Sequence, residues 1–157
     1  MLQKYLLIFL VSMVPLIELR GSIVMAVGMN LDYFTALTIS VIGNMLPVPI
    51  IYFFARKVLE WGKDKPYIGK FFTFCLEKGE KGGQKLVARA GRGGLFVALL
   101  LFVGIPLPGT GAWTGTLAAS FLNMGIKSTT GAVCLGVILA GIIMGIASTG
   151  VFSVIGL

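Results

Sequence analysis

A chain of 157 residues that is 57% hydrophobic and only 12% charged is no ordinary soluble domain, which carries about 25% charged residues. It reads as one integral membrane domain, residues 1–157, with no room for a sizeable soluble unit. The chain has no His, the commonest general base and metal ligand, and Cys75 and Cys134 lie too far apart to form a ligand pattern, so no enzyme activity, metal or cofactor is expected.

The first apolar segment, 2–17, would reach only about 24 Å as a helix, short of the roughly 30 Å hydrocarbon core. Lys4 ahead of an apolar run suggests a signal peptide, but no clear small-residue cleavage site follows. Pro15 disfavours continuing the helix, because it lacks an N–H and clashes with the preceding turn. Within Val14–Ser22 stand Glu18 and Arg20, in an otherwise apolar setting. Charges at membrane depth are expensive and usually mark a substrate or ion path. Residues 21–31 are again too short to span. Two half-length helices joined at Pro15–Gly21 predict a re-entrant hairpin, whose tip must be buried in protein or face water. One tilted, kinked helix is the alternative.

Asp32 marks a turn, and residues 33–55 are long enough to span. Asn44, Pro47 and Pro49 in this segment predict a broken helix that offers backbone groups to a substrate. A packing kink, with Asn44 bonded to a neighbouring helix, is the competing reading. Residues 56–93 carry ten basic and four acidic side chains, a net +6. Between apolar segments such a stretch reads as a cytoplasmic loop, not as a nucleic-acid site. Pro66–Leu76 mixes aromatics with lysines and predicts a short helix lying at the interface. Glycines 79, 82, 83, 91, 93 and 94 punctuate the rest, with no nucleotide-binding loop pattern.

Residues 95–107 repeat the character of the first segment, and Ile105–Ala112 makes a second Pro-Leu tip. A third short segment, 112–124, and a long final one, 128–157, follow, with Lys127 in the turn between them. Gly136/Ala140 and Gly141/Gly145 allow close helix approach, inside one chain or across a homodimer. An offset of ninety-one residues lays Pro15 on Pro106, Leu16 on Leu107, Leu31 on Leu122 and Thr38 on Thr129. The expected fold is an all-α integral membrane protein. It is an inverted repeat of a re-entrant hairpin plus a transmembrane helix, 1–55 and 94–157, around the basic linker 56–93. With that linker inside, Lys127 falls inside and Asp32 outside.

The planar fork of Arg20 suits phosphate or carboxylate. Glu18 is its partner, a proton carrier, or both; a buried ion pair that merely pins the tip is the bland reading. Gly109-Thr110-Gly111 can point consecutive N–H groups at an anion, and a half-helix starting near Gly111 adds partial positive charge. The candidate substrate site is therefore Glu18, Arg20, Gly21, Asn44, Pro106, Pro108, Gly109, Thr110, Gly111 and Trp113. Trp113 either lines it or anchors the hairpin.

The motifs Pro15-Leu16-Ile17-Glu18-Leu19-Arg20-Gly21-Ser22, Gly43-Asn44 and Ile105 through Gly115 resemble the bacterial small multidrug export protein family over nearly the whole chain. That family is in turn distantly similar to the DedA superfamily. The resemblance implies paired re-entrant hairpins, a bacterial cytoplasmic membrane, and movement of lipids such as undecaprenyl phosphate or proton-dependent drug resistance. DedA members place a Glu in the first hairpin and Arg residues in the second, whereas here Glu18 and Arg20 share the first and no Arg lies between residues 95 and 157. The expected function is a transporter of an amphipathic anionic lipid such as a polyprenyl phosphate, partnered by membrane lipids and protons. The alternatives are a proton-coupled exporter of cationic drugs through Glu18, and a non-transporting scaffold.

Overall fold

The computed structural model describes residues 1–155, without the side chains of residues 75, 78–80, 82–83, 86–87, 152 and 155, so the thiol of Cys75 lies outside the described groups. Among the described residues seven helices follow in order: α1 (Leu2–Met13), α2 (Glu18–Gly28), α3 (Tyr33–Met45), α4 (Pro47–Lys63), α5 (Gly69–Gly104), α6 (Ala112–Phe121) and α7 (Ile126–Ile155). Among the described residues there is no strand.

One expectation about the long segments is borne out in mild form and one is corrected. The helix over 33–55 is divided just before Pro47, into α3 and α4, but with little change of backbone angle. Only Leu46 separates α3 from α4, and it keeps helical angles of φ −61° and ψ −41°. Pro47 sits at the first position of α4, where a missing N–H costs little. The pair therefore forms one stretch, Tyr33–Lys63, long enough to cross a bilayer, as is Ile126–Val151 in α7. The basic linker is not a short interfacial helix followed by a glycine-punctuated loop. Helix α5 runs through Gly79, Gly82 and Gly83 and changes direction only at Gly91, where φ is 70° and ψ is 177°.

The helices of the two halves follow a similar order, but their register differs from a uniform offset. Four residues separate α1 from α2, and seven separate α5 from α6. The register shifts across the longer bend, and beyond it the ends of α2 and α6 (Gly28, Phe121) and the starts of α3 and α7 (Tyr33, Ile126) match at ninety-three. Asn30 (φ 54°) and Asn123 (φ 56°) occupy equivalent left-handed positions just after α2 and α6. In the first, Asn30 N–H bonds Val27 and Leu31 N–H bonds Ala26; in the second, Asn123 N–H bonds Ser120 and Met124 N–H bonds Ala119. Each half-length helix thus ends in the same Schellman turn, with Asn taking the left-handed residue. The close approaches repeat as well. A Cβ on Gly43 would lie 2.7 Å from the Phe9 carbonyl, and one on Gly136 would lie 2.7 Å from the Leu100 carbonyl. Leu31/Leu122 and Thr38/Thr129, paired by the ninety-one offset, are not structural equivalents.

Contacts along the long helices set their directions. Tyr33, at the start of α3, donates from its hydroxyl to the Gly141 carbonyl (3.0 Å), midway along α7. Tyr52, in α4, donates to the Met124 carbonyl just before α7 begins. The α3–α4 stretch and α7 are therefore antiparallel. Asp32 lies at one end of the bundle; Arg56, bonded to Asn123, lies at the other with Lys127. Asp32 caps α3, accepting from the Thr35 amide (2.8 Å) and hydroxyl (2.6 Å), and these bonds hold its carboxyl below the usual range.

Helix α7 is central, packed on α2, α3, α5 and α6, with Leu19, Ile23, Leu99, Val103, Val133 and Val137 in the main core. Two glycines of α7 are packed from within the chain: Gly141 against Leu37 and Gly145 against the Tyr33 ring. Outside the core the pattern is inverted relative to a soluble protein. Phe34, Ile50, Phe54 and Ile146 are all more than 60% exposed, whereas Ser12, Ser22, Ser40, Asn44, Thr116 and Glu18 are buried. Ser22 donates to the Ser40 hydroxyl at 2.8 Å, joining α2 to α3. Apolar outside and polar inside suits a hydrocarbon solvent, and this is a membrane protein.

Candidate functional site

The two proline-bearing bends meet. Chain geometry at the first bend is unusual: Leu16 and Glu18 both have positive φ, 74° and 52°. Such angles are uncommon outside glycine and persist only where the surroundings enforce them. They turn the Glu18 side chain away from its own hairpin and into the second one. Its carboxylate accepts from the Ala112 amide (Oε2, 3.0 Å) and the Trp113 amide (Oε1, 3.0 Å). These are the first N–H groups of α6, which have no partner within that helix. Glu18 is 5% exposed. It is the only buried acid among the described residues.

Gly111 makes that approach possible. Its φ is 150°, and a Cβ there would lie 2.3 Å from Glu18 Oε2. Gly109 (φ 79°) turns the chain ahead of it, with open space where a side chain would be.

Arg20 performs the complementary task. Its guanidinium donates to the carbonyls of Leu107 (2.7 Å), Val103 (3.3 Å) and Ile105 (3.3 Å), and to the Thr110 hydroxyl (2.9 Å). Those carbonyls close α5 and start the second bend, where a helix leaves unpaired acceptors and partial negative charge. Thr110 is itself held by the bend, lying 2.8 Å from the Leu107 carbonyl. One side chain of the first hairpin thus caps the end of α5, and another caps the start of α6. Charge sign agrees with helix polarity at both ends.

The ion-pair reading of Glu18 and Arg20 is accordingly corrected. The ion pairs among the described residues are Arg56–Glu60 and Lys81–Glu77, both on the outside of helices. The cradle of bare amides expected at Gly109–Gly111 is corrected too. The free amides lie one step later, on Ala112 and Trp113, and the anion in them is the protein's own carboxylate.

Of the other candidates, Pro106 and Pro108 shape the second bend, and Gly21 packs against Ile17 beneath the first, its virtual Cβ 2.3 Å from Ile17 Cγ2. Trp113 contributes its amide to Glu18, and its side chain lines a cavity of about 400 Å³. That cavity is walled by Ile51, Phe54, Val58, Phe72, Leu117 and Phe121, from α4, α5 and α6. Asn44 is 2% exposed, its Oδ1 has no hydrogen-bond partner, and it is bonded to neither bend. The kink reading had it bonded to a neighbouring helix; this oxygen has no such bond. The partners that sequence reasoning missed are backbone groups, of Val103, Ile105, Leu107 and Ala112, which no residue letter announces.

The family model described as "Putative small multi-drug export protein" matches residues 18–143. The chain belongs to the small multi-drug export protein family. The matched span begins at Glu18 and includes both bends' contacts, α3, α4, α6 and much of α7. Membership makes the protein a member of an export, that is transport, family. No curated protein matches the chain, and no solved structure does.

Proposed function

We propose that this protein is a proton-coupled exporter of lipophilic compounds, with Glu18 as the proton-binding group. In this reading α1–α2 and α5–α6 are re-entrant hairpins of an inverted repeat, entering a bacterial cytoplasmic membrane from opposite faces. The basic linker 56–93 is cytoplasmic, and the whole chain is one membrane domain. The antiparallel course of α3–α4 and α7, and the Asp32 and Lys127 ends that follow from it, support that arrangement.

The observation that carries the reading is the buried carboxylate seated on the first two amides of α6. A carboxylate can accept from both N–H groups at once. A carboxylic acid has lost the charge that strengthens both bonds, and one of its oxygens has become a donor. Proton binding therefore loosens the joint between the bends, and proton release closes it. Trp113 connects that event to the cavity, since its amide holds Glu18 while its indole forms part of the wall. An apolar, aromatic wall and a volume of about 400 Å³ suit a small lipophilic molecule.

A polyprenyl phosphate has less support as cargo. Its phosphate would have to displace Glu18 from the amides and draw Arg20 from four oxygens it already bonds. The test is efflux of a lipophilic fluorescent dye from proteoliposomes under an imposed pH gradient. Wild type should export dye in proportion to the gradient, and Glu18→Gln should abolish the gradient-driven component. Gradient-driven export that survives in Glu18→Gln would overturn the proposal.

A further inference from the structure

At the basic end of the bundle, a second cavity of about 390 Å³ lies between α5 and the α6–α7 turn. Its polar lining comes from Arg92, Asn123, Lys127 and Ser128, and its apolar lining from Leu95, Leu122 and Met124. Among the described residues neither Arg92 nor Lys127 has an acidic partner or a hydrogen bond. Arg56 stands beside them, fixed on Asn123 Oδ1 and on Glu60. Both side chains are exposed, and two unpaired cations on the wall of one cavity make it a favourable place for an anion.

The internal repeat says what is missing. In the first half, Asp32 fills the start of the long helix by accepting from the Thr35 amide and hydroxyl. Ninety-three residues later, Gly125 stands in place of Asp32 and Ser128 in place of Thr35. The second half therefore keeps the hydroxyl and the helix start but lacks the carboxylate, and cations line the gap instead.

We infer that this cavity holds the headgroup phosphate of an anionic phospholipid. Arg92, Lys127 and Ser128 would take its oxygens, while Leu95, Leu122 and Met124 would face the glycerol and the first acyl carbons. A lipid is favoured over free phosphate because an apolar wall adjoins the cations in a chain whose outer surface is apolar. Basic pockets between membrane helices are suited to anionic headgroups. This site is independent of Glu18 and of the cargo.

The experiment is native mass spectrometry of the full detergent-solubilised chain, titrated separately with phosphatidylglycerol, phosphatidylcholine and inorganic phosphate. Wild type should retain one phosphatidylglycerol in preference to phosphatidylcholine. Arg92→Gln with Lys127→Gln should weaken that binding about thirtyfold, at roughly fivefold per cation near a membrane surface. Lys57→Gln, a basic change outside the cavity, should leave it unchanged. Gly125→Asp supplies the absent carboxylate at a position where a Cβ meets open space. It should raise the melting temperature while weakening phosphatidylglycerol binding at least tenfold, an opposition that a misfolded variant cannot produce. Equal retention of the two lipids by wild type, or unchanged binding in both variants, would overturn the proposal. So would inorganic phosphate binding as tightly as phosphatidylglycerol.

Discussion

Glu18→Ala removes the carboxylate but leaves its two partners in place, the amides of Ala112 and Trp113. Water has little access there, since Glu18 is 5% exposed and Ala112 is 1% exposed. An unsatisfied buried N–H costs about 1–3 kcal/mol, so the two together cost about 2–6 kcal/mol. Against a typical total stability of about 5–15 kcal/mol that is a large fraction. Glu18→Gln keeps the shape and one accepting oxygen, but turns an NH₂ toward the other amide. It should lose about half as much. Reversible unfolding in mixed micelles, followed by helical circular dichroism, measures both. A Glu18→Ala variant within about 0.5 kcal/mol of wild type, the range of surface substitutions, would refute the reasoning, because the amides would then have found other partners.

Gly111→Ala puts a Cβ 2.3 Å from Glu18 Oε2 and should destabilise strongly, but less so once Glu18 is already Ala. A double-mutant cycle should return a coupling above about 1 kcal/mol, and additivity would show that the two residues do not meet. Arg20→Lys keeps the charge but replaces a planar fork with a point donor, so it should lose about 1–3 kcal/mol in the same unfolding assay and not recover wild-type behaviour. Full retention by Lys would show that charge alone suffices. Thr35 holds the Asp32 carboxyl below its usual range, so its stabilising effect is present above the ordinary Asp value of about 3.9 and lost as pH falls below it. Wild type should therefore exceed Asp32→Asn in stability at neutral pH, with the gap closing in acid; a gap independent of pH would contradict this.

Much of the architecture was legible because hydrocarbon imposes simple rules. Pro15 and Pro106, each following a segment too short to span, marked the bends, and the apolar runs marked the helices. Reading failed where one residue type has two physical outcomes. Pro47 divides the span yet hardly bends it, because it starts α4, where its missing N–H falls at a position a helix tolerates. Gly79, Gly82 and Gly83 stay helical, and within α5 only Gly91 adopts a positive φ. A uniform repeat offset missed the longer second bend, which shifts the register from ninety-one to ninety-three and conceals the match of Asn30 with Asn123. At the site, Glu18 and Arg20 were found from their cost in an apolar run. Their true partners were not, since an unpaired helix amide or carbonyl has no letter of its own. The presence of Gly111 hinted at a close approach, but not at what approaches.

The most direct measurement is amide hydrogen exchange at Ala112 and Trp113, by NMR on labelled protein across a pH series, expressed as protection relative to the unfolded chain. If the Glu18 carboxylate fastens the start of α6, both amides are protected at neutral pH and lose protection together as the carboxyl takes up a proton. In Glu18→Gln one amide keeps an acceptor and the other loses it, and protection at both is independent of pH. Equal protection in wild type and Glu18→Gln at every pH would mean that no proton-sensitive fastening joins the two bends.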